Sequence, residues 1–340
     1  MAAKRKYWGF VTPMPGATLG EVAGQCEAMG LVGLWAPQLY GSPFVPLAAA
    51  AMATSSLKLG TGVALAFTRS PLETACSALD LDAISGGRAV LGIGPSTRWW
   101  NESWYGVEYG KPLAHLREAV TIVRMILRDG ASGKLGKWKG EYYDLDLDRF
   151  ELLSPPTRAD VPIYLPALFE NAIGMAGEIA DGLAGHPIWC EQWILEKLNP
   201  NLARGLEKSG RKRSDLDFNA WLYVAPGANK KECIEDARAT VIFYSLLEQY
   251  ERYFAECGFG AEARAIAAAS KAKDEAAMRR ACSDEMVEKF VIVGSPDEVR
   301  RRVDRIAEVA DSFALGAPNH GLSIEKIGAY NQAIAQAFYL

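Results

Sequence analysis

The feature that most constrains this chain is an alternation. Short apolar runs, each followed by a segment of helical periodicity, repeat from one end of the sequence to the other. The runs fall at 7–11, 33–36, 57–65, 89–93, 161–165, 182–185, 218–224 and 313–315, and helical segments at 46–54, 71–85, 113–127, 170–179, 192–208 and 323–338. Before the first helix, Thr18 and Glu21 have the spacing of a capping box, and Gly30 is a suitable stop. Alternation of this kind predicts a parallel sheet covered by helices, and eight strand–helix units predict a (β/α)8 TIM barrel. The competitor, an open doubly wound sheet, carries a Gly-x-Gly-x-x-Gly turn after its first strand; here Val11 leads into Pro13 and Pro15.

Two stretches exceed what eight units need. One is an irregular, Trp-rich loop over 94–110, after the fourth strand. The other is a helical block over 230–310 that ends in the cap Ser295-Pro-Asp-Glu298 and places an insertion at about 230–295, before the eighth strand. Lys137 to Asp146, with Gly140 inside, reads as a hairpin. The whole, 1–340, is expected to be a single barrel domain.

Charge excludes several functions. With 37 Lys and Arg against 41 Asp and Glu, the net charge is -4, and no like-charged block offers a footprint for nucleic acid or an anionic membrane. The longest apolar run, 46–53, is too short to span a bilayer, and the N-terminus lacks a signal-peptide core, so a cytoplasmic protein is expected. Six scattered cysteines sit at no metal or redox spacing and read as reduced, mostly buried thiols; three scattered histidines give no support to a metal site.

In a barrel, chemistry sits at the C-terminal strand ends. After strand two, Gln38 and Tyr40 offer uncharged hydrogen bonding suited to a polar heteroaromatic ring, or simply a turn between Pro37 and Gly41. After strand three, Gly62-Val63-Ala-Leu65 opens onto Thr68 and Arg69, a backbone platform for a flat ring with a cation at its rim. Gly92 and Gly94 before Ser96 permit close backbone approach, and Trp99, Trp100 and Trp104 form a lid or line a pocket. After strand five, Ala167, Leu168, Phe169 and Asn171 open a helix whose N–H groups suit a phosphate or carboxylate. His186 ends strand six and is a candidate for catalysis or substrate binding, whereas His115 and His320 read as structural.

The strings Leu34-Trp-Ala-Pro-Gln38, Leu59-Gly-Thr-Gly62, Thr68-Arg-Ser-Pro71, Gly87-Arg-Ala-Val-Leu-Gly-Ile-Gly94, Asn101-Glu-Ser-Trp-Tyr-Gly106, Lys111-Pro112, Ala176-Gly-Glu-Ile-Ala-Asp-Gly182 and Gly294-Ser-Pro-Asp-Glu-Val299 run through nearly the whole chain. In this order they resemble the luciferase-like monooxygenase superfamily and, within it, the oxidoreductases that use the deazaflavin coenzyme F420. The resemblance implies a barrel with an insertion before the last strand. It also implies a cofactor ring resting on a bulge near Gly62-Val63, often with a cis peptide, and a homodimer packed through early helices. Asn101 stands where relatives touch the cofactor, Ala167 to Asn171 where they bind its phosphate, and Lys289 where sugar-phosphate-oxidising relatives hold a substrate phosphate. Leu39 departs from the pattern: several relatives place a catalytic His there, which leaves His186, Tyr40 or Glu102 to handle the proton.

The expected activity is hydride transfer between F420 and a small organic substrate held under the Trp-rich loop. The alternatives are an FMNH2-dependent monooxygenase using FMN, and a non-catalytic flavin or deazaflavin carrier.

Overall fold

The computed structural model describes residues 5–38, 41–158 and 160–340. Eight parallel strands alternating with helices make the fold a (β/α)8 barrel. By compactness the chain divides into two units, one comprising residues 8–166 and 178–184 and the other residues 167–177 and 185–340 with the N-terminal residues.

The first unit carries β1 (Lys6–Phe10), β2 (Gly33–Ala36), β3 (Lys58–Thr61), β4 (Ala64–Leu65) and β5 (Ala89–Gly94). It continues with an excursion hairpin of β6 (Lys137–Lys139) and β7 (Asp144–Asp146), then β8 (Ile163–Pro166) and β9 (Gly182–Ala184). Parallel register runs from Trp8 opposite Gly33, through Leu34 opposite Leu59 and Leu91 opposite Ile163, to Leu165 opposite Leu183. One device recurs: a large ring on one strand lies over a glycine on the next. A Cβ at Gly33 would meet the Trp8 ring at 2.4 Å, one at Gly60 the Trp35 ring at 2.3 Å, and one at Gly182 the Tyr164 ring at 2.3 Å. Trp8 and Trp35 stack at 4.4 Å. Filling the interior with rings therefore dictates glycine beside them.

In the second unit, β10 (Asp217–Pro226) pairs along one edge with β12 (Ser312–Gly316) and at its end with β11 (Ile292–Gly294). Its packing is equally close, since a Cβ at Gly185 would lie 2.2 Å from the Trp221 nitrogen.

Several boundaries differ from the sequence reading. The helix Gly16–Ala28 begins two residues before Thr18, with Pro15 at its cap and no side-chain cap bond, so the Thr18–Glu21 pair caps nothing. Gly30 does end it, at φ 79°, with Leu31 N–H donating to the Cys26 carbonyl. The third barrel strand is interrupted between β3 and β4. The helical block is broken by β11, whose alternation is hidden in the run Val291-Ile-Val-Gly294, while its terminal capping box, Ser295 with Glu298, forms as expected. Among the described residues no helix is long and apolar enough to cross a membrane.

Candidate functional site

In the first unit, the break between β3 and β4 contains a cis peptide bond, Gly62–Val63. Buried Gln38 clamps this segment. Its Oε1 accepts from the Leu65 N–H at 3.0 Å and from Arg69 Nη1 at 2.8 Å. Thr68 Oγ1 donates to the Leu65 carbonyl at 3.2 Å, and Arg69 also meets Glu73 at 3.4 Å and lies 5.9 Å from the Phe44 ring centroid. Four of the candidates, Gln38, Leu65, Thr68 and Arg69, are thus brought together as one hydrogen-bonded group. Tyr40 lies outside the described residues.

Gly92 and Gly94 are glycines for an internal reason. A Cβ at Gly92 would sit 2.0 Å from the Thr61 carbonyl oxygen, and one at Gly94 would sit 2.5 Å from Pro166 and 3.0 Å from Val63. The β3–β4 break presses against β5, and only glycine leaves room. Beyond β5, Ser96 has φ 59°, sparsely populated for a residue with a side chain, and its carbonyl accepts from Tyr109 Oη at 3.0 Å.

The Trp-rich loop closes a single π-helical turn, Trp100–Trp104, with Tyr105 N–H donating to the Trp100 carbonyl at 3.2 Å. Trp100 stacks on Trp104 at 4.8 Å, and Trp99 meets Trp104 edge-on at 4.8 Å. Trp99 is 57 % exposed and Trp104 46 %, so these rings form a surface cluster. Glu102 is exposed and paired with Arg98 at 2.6 Å. Asn101, inside the same turn, is fully buried. Its Nδ2 donates to the Pro95 and Thr97 carbonyls at 2.8 and 2.7 Å, but its Oδ1 has no hydrogen-bond partner among the described residues. A buried amide oxygen left without a donor is costly, and here it marks a place for a ligand's donor.

Sequence reasoning left His115 as structural. Its ring is sandwiched between Phe67, at 3.7 Å and 3° from parallel, and Tyr142, at 4.1 Å and 9°. Its Nε2 lies 3.0 Å from Tyr143 Oη. Burial lowers its pKa, so the ring is neutral, and it lines a cavity of about 590 Å³ with Phe67, Val107, Lys111, Tyr142 and Tyr143. These partners come from separate segments, so no sequence spacing announces them.

In the second unit, Ala167, Leu168 and Phe169 lead into the helix Glu170–Ile179, which Asn171 continues. The Leu168 carbonyl accepts from Trp193 Nε1 at 3.1 Å. Arg252, absent from the sequence reading, lies 4.6 Å over the Phe169 ring and reaches Glu170 at 3.0 Å, which puts a cation beside this helix start. Lys289 Nζ donates to Gln192 Oε1 at 2.5 Å.

His186 is held at both nitrogens. Nδ1 accepts from the Ile188 N–H at 3.3 Å, so the proton belongs on Nε2, which donates to Tyr250 Oη at 2.7 Å. Although part of the residue's surface is accessible, desolvation of the ring pushes its pKa down to about 3. The imidazole is therefore neutral at physiological pH, with its hydrogen bonds going to Tyr250 and Ile188. Tyr250 adjoins Tyr244, whose hydroxyl lies 3.3 Å from that of Tyr223.

Residues 7–313 match the family described as luciferase-like monooxygenase. A Mycobacterium tuberculosis protein named provisionally as a coenzyme F420-dependent oxidoreductase is 31% identical over 326 residues, covering 87% of this chain and 88% of its own length. The coenzyme F420 dependent tetrahydromethanopterin reductase of Methanopyrus kandleri superimposes with a TM-score of 0.81 at 22% identity, over 98% of each chain. The oxygenating constituent of 3,6-diketocamphane monooxygenase from Pseudomonas putida, in complex with FMN, gives 0.67 at 17% identity, over 99% of this chain and 98% of that one. The two superpositions show a shared barrel, and the family match over most of the sequence places this chain in the luciferase-like monooxygenase family.

Proposed function

We propose that this chain transfers a hydride between the deazaflavin coenzyme F420 and a small organic substrate. As a member of its family it is an enzyme of the oxidoreductase class. The observation that carries the finer reading is Asn101 Oδ1, a buried acceptor with no donor among the described residues, in the loop beyond the end of β5. A deazaflavin or flavin brings ring N–H and side-chain hydroxyl donors of the kind this atom lacks. The charges beside these elements are already paired, Arg69 with Gln38 and Glu73 and Arg98 with Glu102, which suits a neutral ring. Choosing F420 over FMN rests on the 31% identical relative, whose name specifies that coenzyme.

When bound, F420 supplies hydride transfer at the carbon that replaces a flavin's N5, with little reactivity toward oxygen. In this reading the residues around it bind and orient. Within the first unit, the Gly62–Leu65 backbone, held by Gln38 and Thr68, would support the ring, and Ser96 and Asn101 would hydrogen-bond to the group. Within the second unit, Ala167, Leu168, Phe169 and Asn171, with Arg252 beside them, are the residues that would suit a phosphate. Trp99, Trp100 and Trp104, a surface cluster in this structure, would offer aromatic faces to a substrate, and Lys289 would take an anionic group on it. His186 holds a proton at Nε2 as a neutral donor; Glu102 and Tyr40 are the other candidates for moving the proton.

Anaerobic titration with F420, followed by the coenzyme's visible absorbance while candidate substrates are added, tests this reading. Bleaching or recovery coupled to substrate turnover supports it. Tight FMN binding with oxygen-dependent product formation identifies the rival, a flavin monooxygenase.

A further inference from the structure

The segment after β9 and the helix Glu251–Glu256 meet along a seam whose one end is the His186–Tyr250 pair of the proposed function and whose other end, at Cys190 and Cys257, neither the proposed hydride transfer nor the cofactor uses. Tyr250, Tyr253 and Cys257 are spaced three and four apart, which puts them on one helical face. His186, Ile188 and Cys190 are spaced two apart on the facing stretch. The three pairs join in order. His186 Nε2 donates to Tyr250 Oη at 2.7 Å. Tyr253 Oη donates to the Ile188 carbonyl at 2.9 Å and accepts from the Cys190 N–H at 2.8 Å. At the end of the seam, Cys190 Sγ and Cys257 Sγ lie 3.8 Å apart. Among the described residues no other two cysteine sulfurs are recorded in contact.

The setting favours a bond between these sulfurs. Tyr253 is fully buried, edge-on to Trp193 at 4.9 Å and tilted on Phe290 at 5.6 Å, so it fixes both backbones that carry the thiols. Closing to a disulfide needs the sulfurs to approach by roughly 1.8 Å, within reach of side-chain rotation. Cys190 is buried, whereas Cys257 is half-buried at the end of its helix, followed by Gly258 at φ 94°, and this end gives a small oxidant access. The hydrogen bond from the Cys257 thiol lowers the Cys190 pKa, with the Lys289 charge assisting, and the same bond together with burial raises that of Cys257. Cys190 is therefore the better thiolate of the pair, and the thiolate is the reactive form.

We propose that Cys190 and Cys257 are a dithiol that hydrogen peroxide converts to an intramolecular disulfide. The peroxide O–O bond breaks and takes two electrons from the sulfurs. One S–S bond forms, and both thiol protons leave in two molecules of water. An added dithiol reductant reverses the step. The bond fastens the segment that carries His186 to the helix Glu251–Glu256, which Tyr250 caps.

The test needs no coenzyme, so its outcome is independent of the proposed function. The full chain is exposed to hydrogen peroxide, its remaining thiols are alkylated under denaturing conditions, and intact mass and non-reduced peptide maps are compared before and after dithiothreitol. The expected result is alkylation of four of the six cysteines, a mass lower by two hydrogens, and a reducible cross-link between the peptides holding Cys190 and Cys257. Cys257→Ser, a change at the half-buried position, is expected to abolish the cross-link while far-UV circular dichroism stays unchanged. If that variant does not fold, the wild-type peptide map still decides. Six alkylated cysteines after peroxide, oxygen adducts on single cysteines without a cross-link, or a disulfide between other cysteines would overturn the proposal.

Discussion

Two fully buried asparagines, one in each unit, are wired differently. Asn219, on β10, uses both ends of its amide: Nδ2 donates to Ser312 Oγ at 2.7 Å, and Oδ1 accepts from Trp221 Nε1 at 2.6 Å. Asn101 uses one end only, and its Oδ1 has no partner among the described residues. The first arrangement is scaffold, because an amide spent on protein partners has nothing to offer a ligand. The second spends stability on an acceptor that folding does not need, which is a mark of a site. Trp189 Nε1 is also buried without a partner among the described residues, but it belongs to an indole packed edge-on against Phe218 at 5.9 Å. Asn101 sits instead in a strand-end loop, where this fold places its chemistry.

The strongest way to break the comparison is Asn219→Ala. It removes two buried hydrogen bonds at once and is expected to cost about 3 kcal/mol of stability by urea unfolding, while the folded fraction binds coenzyme as before. A loss of coenzyme affinity at unchanged stability would move Asn219 into the site and erase the contrast.

His186 extends the satisfied side. Its folded pKa is about 3 against an ordinary 6.5, so between these values the unfolded chain takes up a proton that the folded chain refuses. Stability is therefore complete above about pH 6.5 and falls as pH drops toward 3, by about 1.4 kcal/mol for each unit once the unfolded imidazole is fully protonated. Denaturant midpoints between pH 7 and 5 should show this fall. His186→Asn should flatten it in part, because burial also lowers the pKa values of His115 and His320. An unchanged slope in the variant would mean that His186 titrates normally in the fold.

Asn101→Ala tests the unsatisfied side. It is expected to weaken F420 binding about tenfold by fluorescence titration, the loss of about one hydrogen bond to the ligand. Unchanged affinity would make Oδ1 an orphan without a ligand and reduce the contrast with Asn219 to packing.

The same contrast explains what was legible in the sequence. Alternation gave the barrel, and a glycine inside a short stretch gave the Lys137–Asp146 hairpin, because both signals are local. Thr18 and Glu21 misled because a capping motif is also local, and Pro15 started the helix earlier. The Gln38 clamp, the Phe67–His115–Tyr142 sandwich and the approach of Cys190 to Cys257 each join residues from separate segments, and no spacing records such a meeting. Asn101 was singled out by its resemblance to a family position, but its missing partner is a fact of three-dimensional accounting alone.

The smallest effect is expected at Glu102, and it separates a surface carboxylate from a catalytic one. The Arg98–Glu102 pair is short, 2.6 Å, but both side chains are exposed, at 59% and 43%. Such pairs contribute about 0.5 kcal/mol, so Glu102→Gln should move the urea midpoint barely above error. If Glu102 supplies the proton, turnover with substrate and F420 should fall at least tenfold with KM little changed, since the amide keeps the shape and loses the proton. If turnover survives, proton handling returns to the neutral His186–Tyr250 pair. There Tyr250→Phe, which removes the hydroxyl facing Nε2 and leaves the ring, should lower kcat while the coenzyme affinity set by Asn101 is kept.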